Sequence, residues 1–260
     1  MATTLYLIRH GETEGSETKR YKGSIDVPLS KNGIKQSRKV SSFIVENLKN
    51  QAASKYLSYL RDIHNDIKKE NSPNSDVIAR NPEGFRDNEA ISKGRLPRFT
   101  RNDDARLAAV YTSNLSRALK SAEIIAGPYN LNPIQMKDLR ERSFGIWEGM
   151  TFTEIKEKYP KEFNSWAKNP LKYSPIKGES TVEVEKRVMK ALKKILGNHK
   201  GNEIAIVSHG GVNRIILCNI LGIPLENIFR IEQDYAAVNI IEFWDKYPVV
   251  KLINGQSGCG

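Results

Sequence analysis

Residues 3–13 read Thr-Thr-Leu-Tyr-Leu-Ile-Arg-His-Gly-Glu-Thr, and this stretch decides the fold class. Thr3 to Ile8 form a short apolar run rich in strand formers, which reads as a buried strand. Charge at Arg9 and a break at Gly11 end it. The same order recurs twice downstream. Leu107 to Tyr111 (LAAVY) reads as a strand running into Thr112-Ser113-Asn114-Leu115-Ser116-Arg117. Glu203 to Ser208 (EIAIVS) reads as another, running into His209-Gly210-Gly211.

Helical patterns fill the intervals. Ser30 is placed to cap a helix carrying Ile34, Ser41, Ile44, Val45 and Leu48 on one face. Tyr56, Tyr59, Leu60, Ile63 and Ile67 make a second stripe. Leu115, Leu119, Ala122 and Ala126 align in a helix stopped by Gly127-Pro128. Ser180 and Glu183 make a capping box for a helix bearing Val184, Val188, Leu192, Ile195 and Leu196. Val212 to Leu221 is an apolar helix, and Ala237 to Phe243 and Val249 to Ile253 read as closing strands. Strands alternating with helices imply an α/β fold: a doubly wound, mostly parallel central sheet flanked by helices. The expected organisation is one domain, 1–260, with a helical and irregular insertion at about 50–106. Its later part is polar, aperiodic and broken by Pro73, Pro82, Gly84, Gly94 and Pro97, the composition of a long excursion or lid.

Composition narrows the function classes. Lys and Arg number 41 against 30 Asp and Glu, a formal net charge of +11 that favours anionic partners. There is no apolar run of about 18 residues, hence no expected membrane span. The N-terminus lacks the basic and long apolar regions of a secretory signal, so a cytoplasmic location is expected. Two cysteines, Cys218 and Cys259, make neither a disulfide framework nor a cysteine-based zinc site. The four histidines, His10, His64, His199 and His209, leave little room for a multi-histidine metal centre, so no metal and no cofactor are expected. His64 lies beside the second stripe, and His199 follows a helix end as a surface residue.

In an open α/β sheet, ligands sit outside the carboxyl ends of the strands. The three strand ends therefore bring Arg9, His10, Arg117 and His209 to one edge, although they lie far apart in sequence. One histidine at a strand end is ordinarily only a polar residue at a rim; two, after different strands, suggest a shared site. Arginine offers a planar fork of donors that matches phosphate oxygens. Histidine can be a nucleophile or a cation near neutral pH. Gly210 and Gly211 permit close backbone approach, and the helix start behind them favours anions. Phosphoryl transfer needs positioning and charge neutralisation, and a departing alkoxide needs an acid. Glu12, Glu141 and Glu148 are all candidates for that acid; Glu12 could instead orient the arginines.

Four motifs in order, LIRHGET, TSNLSRALKSA, LRERSFGIWEGM and VSHGG, resemble those of the histidine phosphatase superfamily, which includes the cofactor-dependent phosphoglycerate mutases. The resemblance implies that His10 is the nucleophile of a phosphohistidine intermediate. It implies that Arg9 and Arg117 clamp the phosphate, that His209 stabilises the phosphoryl group, and that Glu141 is the proton donor. It extends the substrate contacts to Gly11, Thr13, Ser16, Arg20, Gly23 and Gly210. Ser16 stands where many members carry asparagine, and Arg20 and Gly23 match an R-x-x-G stretch. The compact run after Glu141 resembles the phosphatase branch rather than the mutases. The expected activity is metal-independent hydrolysis of a small phosphomonoester or a phosphoprotein. Phosphoglycerate mutase activity and non-catalytic polyanion binding are the alternatives. Neither a nucleic acid nor a membrane partner is expected, and a homodimer is left open.

Overall fold

The structure, a computed structural model, describes residues 2–18, 20–70, 106–245 and 247–256. The chain divides into two compact units, Met1–Ile44 with Leu107–Gly260, and Val45–Arg106. The second unit contains the expected insertion, of which residues 71–105 lie outside the described residues. So do the side chains of His64, of the Tyr56 to Ile67 stripe, and Cys259.

The first unit is built on one sheet. Its strands are β1 (Thr3–Arg9), β2 (Ala109–Thr112), β3 (Ile134–Gln135), β4 (Glu203–Ser208), β5 (Val238–Phe243) and β6 (Pro248–Gly255). They are ordered β3-β2-β4-β1-β5-β6. The pairs from β3 through β1 are parallel, whereas β5 and β6 join antiparallel, making the sheet mixed but mostly parallel. The helices are α1 (Lys31–Glu70), α2 (Ser116–Ala126), α3 (Phe152–Lys158), α4 (Pro160–Lys168), α5 (Thr181–Asn198) and α6 (Gly210–Leu221). Helix α1 is continuous where the sequence suggested two stripes.

Burial follows the sequence pattern. Every residue from Leu5 to Ile8 is buried, which is why β1 reads as an unbroken apolar run rather than an alternating one. Leu5, Leu7, Ile204 and Ile206 share a core cluster with Val184, Val188 and Leu192 of α5 and Val212 and Ile216 of α6. The Ser180–Glu183 capping box forms as expected. Ser30 caps α1 by accepting a hydrogen bond from Gly33 N at 3.0 Å. His199 caps the C-terminus of α5 and its ring bonds the Tyr111 hydroxyl at 2.9 Å. Gly127 does not take the left-handed conformation expected of a helix stop. The chain runs on through a single 3-10 turn, Gly127–Tyr129, and Asn130 takes positive φ instead. Asparagine tolerates that region because its short polar side chain bonds locally.

Strand register positions the site. Arg9 pairs with Ser208 across β1 and β4, and Thr112 pairs with Val207 across β2 and β4. The residues that follow, His10, Ser113 and His209, therefore leave the sheet side by side at one edge.

Candidate active site

His10 and His209 meet edge to face with ring centroids 5.1 Å apart, and both are buried. His10 N donates to Ser208 O at 3.0 Å, which ties the two strand ends together. His10 Nδ1 lies 2.7 Å from Gly11 O. A backbone carbonyl only accepts, so Nδ1 carries the proton and Nε2 keeps a free lone pair. Burial, followed by the charges of Arg117 and Arg9, holds the His10 pKa well below its ordinary value. The ring is thus neutral near pH 7. His209 is shifted down in the same direction, by burial first and then by His10 and the arginines. Its Nε2 bonds Ser113 Oγ at 2.7 Å. Its buried Nδ1 has no partner among the described residues.

The two arginines are held by backbone carbonyls. Arg9 Nη1 donates to Gln233 O at 2.6 Å, and the guanidinium lies over the Tyr235 ring, 3.9 Å from its centroid. Arg9 Nε is buried and lacks a partner among the described residues. Arg117, buried at the start of α2, donates to Gly23 O and Ile25 O, both at 2.8 Å. Burial lowers both arginine pKa values, against the attraction of Glu141 and neighbouring groups, and both remain cations. Leaving a buried donor unpaired costs about 1–3 kcal/mol, so the unpaired Arg9 Nε–H, with the Arg117 cation lining the same cavity, marks a place suited to an anion.

Glu141 faces this group from the loop after β3. Its Oε2 accepts from Gly211 N and its Oε1 from Arg142 N, each at 3.0 Å. A Cβ at position 211 would lie 2.6 Å from Glu141 Oε1, so any larger residue pushes the carboxylate out of this position. Arg187 fixes the loop from behind. It donates to the carbonyls of Asp138 (2.7 Å), Arg140 (2.8 Å) and Glu141 (3.3 Å) and pairs with Glu179 at 2.8 Å.

The remaining candidates fall into distinct places. Thr13, Ser16, Arg20, Gly23 and Gly210 line one cavity with Arg9, His10, Arg117 and Glu141. Gly11 is instead seated against Gly33, whose carbonyl a Cβ at position 11 would strike, and its N–H donates to Ser121 Oγ at 3.2 Å. Gly23 contributes the carbonyl that holds Arg117. Arg20 makes a two-point ion pair with Glu154 at 2.7 and 2.9 Å. Glu12 does not orient the arginines. Its carboxylate accepts from Ser30 Oγ at 2.7 Å and Asn32 Nδ2 at 3.0 Å, at the start of α1. Those bonds lower its pKa, and the helix dipole favours a negative charge there. Glu148 locks a loop by accepting from Ser24 Oγ at 2.6 Å and Phe144 N at 3.1 Å.

Sequence reasoning missed Ser113, Arg187, Lys22 and the carboxamides behind Arg9. Lys22 lines the cavity beside Thr13 and donates to Glu14 O. Gln233 Nε2 bonds Asn239 Oδ1 at 2.9 Å, Asn213 Nδ2 bonds Gln233 Oε1 at 3.2 Å, and Ser208 Oγ bonds Asn213 Oδ1 at 2.5 Å. Only Ser113 carried a usable signal, its place directly after β2. Among the described residues no group of three or more His, Cys, Asp and Glu side chains is placed to hold a metal ion. No described helix is long and apolar enough to cross a membrane.

Comparison with known proteins places this geometry in a family. A family model of the histidine phosphatase superfamily (branch 1) matches residues 5–61 and 96–256. Phosphoserine phosphatase 1 of Hydrogenobacter thermophilus is 25% identical over 250 residues, covering 96% of this chain and 91% of that protein. The metal-independent phosphoserine phosphatase of Arabidopsis thaliana is 27% identical over 221 residues, 84% of this chain and 68% of its own. The solved structure of Bacillus stearothermophilus YhfR superposes with a TM-score of 0.67 at 27% identity, covering 96% of both chains.

Proposed function

The chain belongs to the histidine phosphatase superfamily, and we propose that it is a phosphomonoesterase working through a phosphohistidine at His10, without a metal ion. The observation that carries this reading is the neutral His10 ring, backed by the buried His209 ring, in one cavity that Arg9, Arg117 and Glu141 also line.

Arg9, Arg117 and the His209 Nδ1 side receive the phosphoryl oxygens. They offset charge that spreads over those oxygens in the transition state. His10 Nε2 attacks phosphorus in line, the P–N bond forms, and the ester P–O bond breaks. Glu141 gives its proton to the departing oxygen. In the second half-reaction the Glu141 carboxylate takes a proton from water, whose oxygen attacks the phosphohistidine. The P–N bond breaks, inorganic phosphate leaves, and His10 and Glu141 return to their starting states. Cationic side chains perform the neutralisation that a metal performs in other phosphoryl-transfer sites.

The test is turnover of a phosphomonoester panel in excess EDTA, with His10→Ala as the paired variant. Expected are hydrolysis that EDTA leaves unchanged, loss of turnover by at least about a thousandfold in the variant, and an acid-labile phosphoprotein on quenching the unmodified chain. Retained turnover in His10→Ala overturns the reading. So does isomerisation of 3-phosphoglycerate, stimulated by 2,3-bisphosphoglycerate, in place of hydrolysis.

A further inference from the structure

The cavity over His10 has two unlike halves. Its floor holds Arg9, His10, Arg117 and Glu141, whereas its wall is formed by Phe144, Trp147, Phe152, Phe163, Trp166 and Phe229. At about 740 Å³ it is far larger than a phosphate group needs. The rings brace one another. Phe152 meets Phe163 at 5.0 Å, Phe163 meets Trp166 at 5.6 Å, and Trp147 stacks on Tyr173 at 5.8 Å. Such edge and stacked contacts hold the wall in shape without a ligand. Two of its rings nonetheless face water: Phe152 is 48% and Phe229 78% exposed. Clustered apolar rings left open beside a polar floor mark a surface that something apolar covers.

The same half offers little to a second charged group. Arg20 is engaged by Glu154 and by Gly149 O. Arg142 donates to Glu179 O, Thr181 Oγ1 and Tyr173 O. Arg214 donates to Ile231 O at 2.7 Å. A leaving group bearing its own carboxylate would meet aromatic faces and cations bonded elsewhere, Lys22 among them through Glu14 O, and would regain little of the hydration it loses.

We infer that the ligand of this site is a phosphate carried on a bulky, uncharged, apolar group, an aryl ring or an alkyl chain of several carbons. As a statement about substrates this rests on the phosphomonoesterase reading above. Chemistry takes place on the polar floor, and selectivity comes from the area of wall the leaving group covers. Full burial of each added methylene raises affinity by about fourfold, and partial burial by less.

Two series test the inference: n-alkyl phosphates from methyl to octyl as substrates, alongside phosphoserine and 3-phosphoglycerate, and the matching alkylphosphonates in calorimetric binding. All are used below their aggregation concentrations. The expected result is a rise in kcat/KM of about two- to fourfold per methylene, with octyl phosphate above both polar metabolites. Phosphonate affinity rises in parallel. Phe229→Ser, at a position too exposed to endanger folding, flattens the chain-length dependence and acts mainly through KM. Hydrolysis with no dependence on chain length, or a preference for phosphoserine, overturns the inference and leaves the phosphatase reading intact. Phosphonate affinity that climbs with chain length while no ester is turned over sustains the apolar ligand class and removes the hydrolase reading.

Discussion

Replacing Gly211 by alanine separates the chemistry of the site from the stability of the fold. Gly211 is the second residue of α6, and its N–H holds Glu141 Oε2 at 3.0 Å. The new Cβ would sit 2.6 Å from Glu141 Oε1 and 3.3 Å from its Cδ. Ordinary contact begins near 3.4 Å, so the carboxylate must retreat by roughly 0.8 Å. The obstacle is the end of a side chain and not backbone, so the helix need not move. Alanine gains about 0.5–1 kcal/mol over glycine in a helix, which for a chain of this size raises the unfolding midpoint by roughly one to four degrees. Catalysis moves the other way. General acid catalysis contributes about 10²–10⁴-fold, and misplacing a reacting group by about 1 Å loses about a hundredfold. The expected outcome is a fall of about a hundredfold in kcat/KM for alkyl phosphates, with stability unchanged or raised. With p-nitrophenyl phosphate, whose leaving group needs no proton, stopped-flow mixing should show a burst followed by slow turnover, because in the proposed mechanism Glu141 also activates the water. Gly197→Ala in α5, where a Cβ meets open space, is the control and should change stability alone. Alkyl phosphate turnover unaltered in Gly211→Ala refutes the role of Glu141. Matched losses of activity and stability refute the geometric argument.

Arg187→Ala removes the donor to three loop carbonyls and the ion-pair partner of Glu179, which keeps its bond from Ser143 N. Urea unfolding should show a loss of about 1–3 kcal/mol, accompanied by lower kcat. Arg187→Lys should recover only part of both, since an ammonium cannot span the same acceptors. The pH dependence of stability follows from His10 and His209, both of whose folded pKa values are depressed. Below about pH 6.5 the unfolded chain binds protons that the folded chain refuses. Their contribution is therefore complete above that pH and is lost as pH falls. The slope should reach up to about 1.4 kcal/mol per pH unit for each ring, and His10→Ala should remove one ring's share. Urea midpoints that stay flat from pH 7.5 to 5 would contradict two neutral buried imidazoles.

How much of this was legible in the sequence depends on range. TTLYLI and EIAIVS are continuous apolar runs because β1 and β4 are buried, and burial is written locally. The Ser180–Glu183 cap is written within four residues and forms as read. Strand β3, only Ile134–Gln135, is exposed and too short to leave a pattern. The roles of Glu12 and Arg187 depend on partners 18 and 47 residues away, respectively. Such contacts are set by loop paths, which composition does not encode. Ser113 was visible at a strand end, but its bond to His209 follows from the register of β2 on β4. Choosing Glu141 over Glu12 and Glu148 came from the family resemblance; in the structure the other two carboxylates are occupied in holding loops.

The register that assembles the site also creates an electrostatic conflict within it. Placing Arg9 beside Ser208 brings two histidines and two guanidiniums to one buried edge. Burial and like charge together keep both imidazoles unprotonated, which is the condition for the attack on phosphorus proposed for His10. The arginines cannot shed their charge in the same way, and carbonyls of Gly23, Ile25 and Gln233 supply only dipoles against it. The phosphate dianion of the proposed reaction would resolve the conflict: it would bring full charges to the guanidiniums and an acceptor to Arg9 Nε. Its arrival also favours protonation of the imidazole that is not attacking. The feature that costs the empty fold stability is thus the one that selects the reacting group, and bound phosphate or vanadate should flatten the pH slope that the free protein shows.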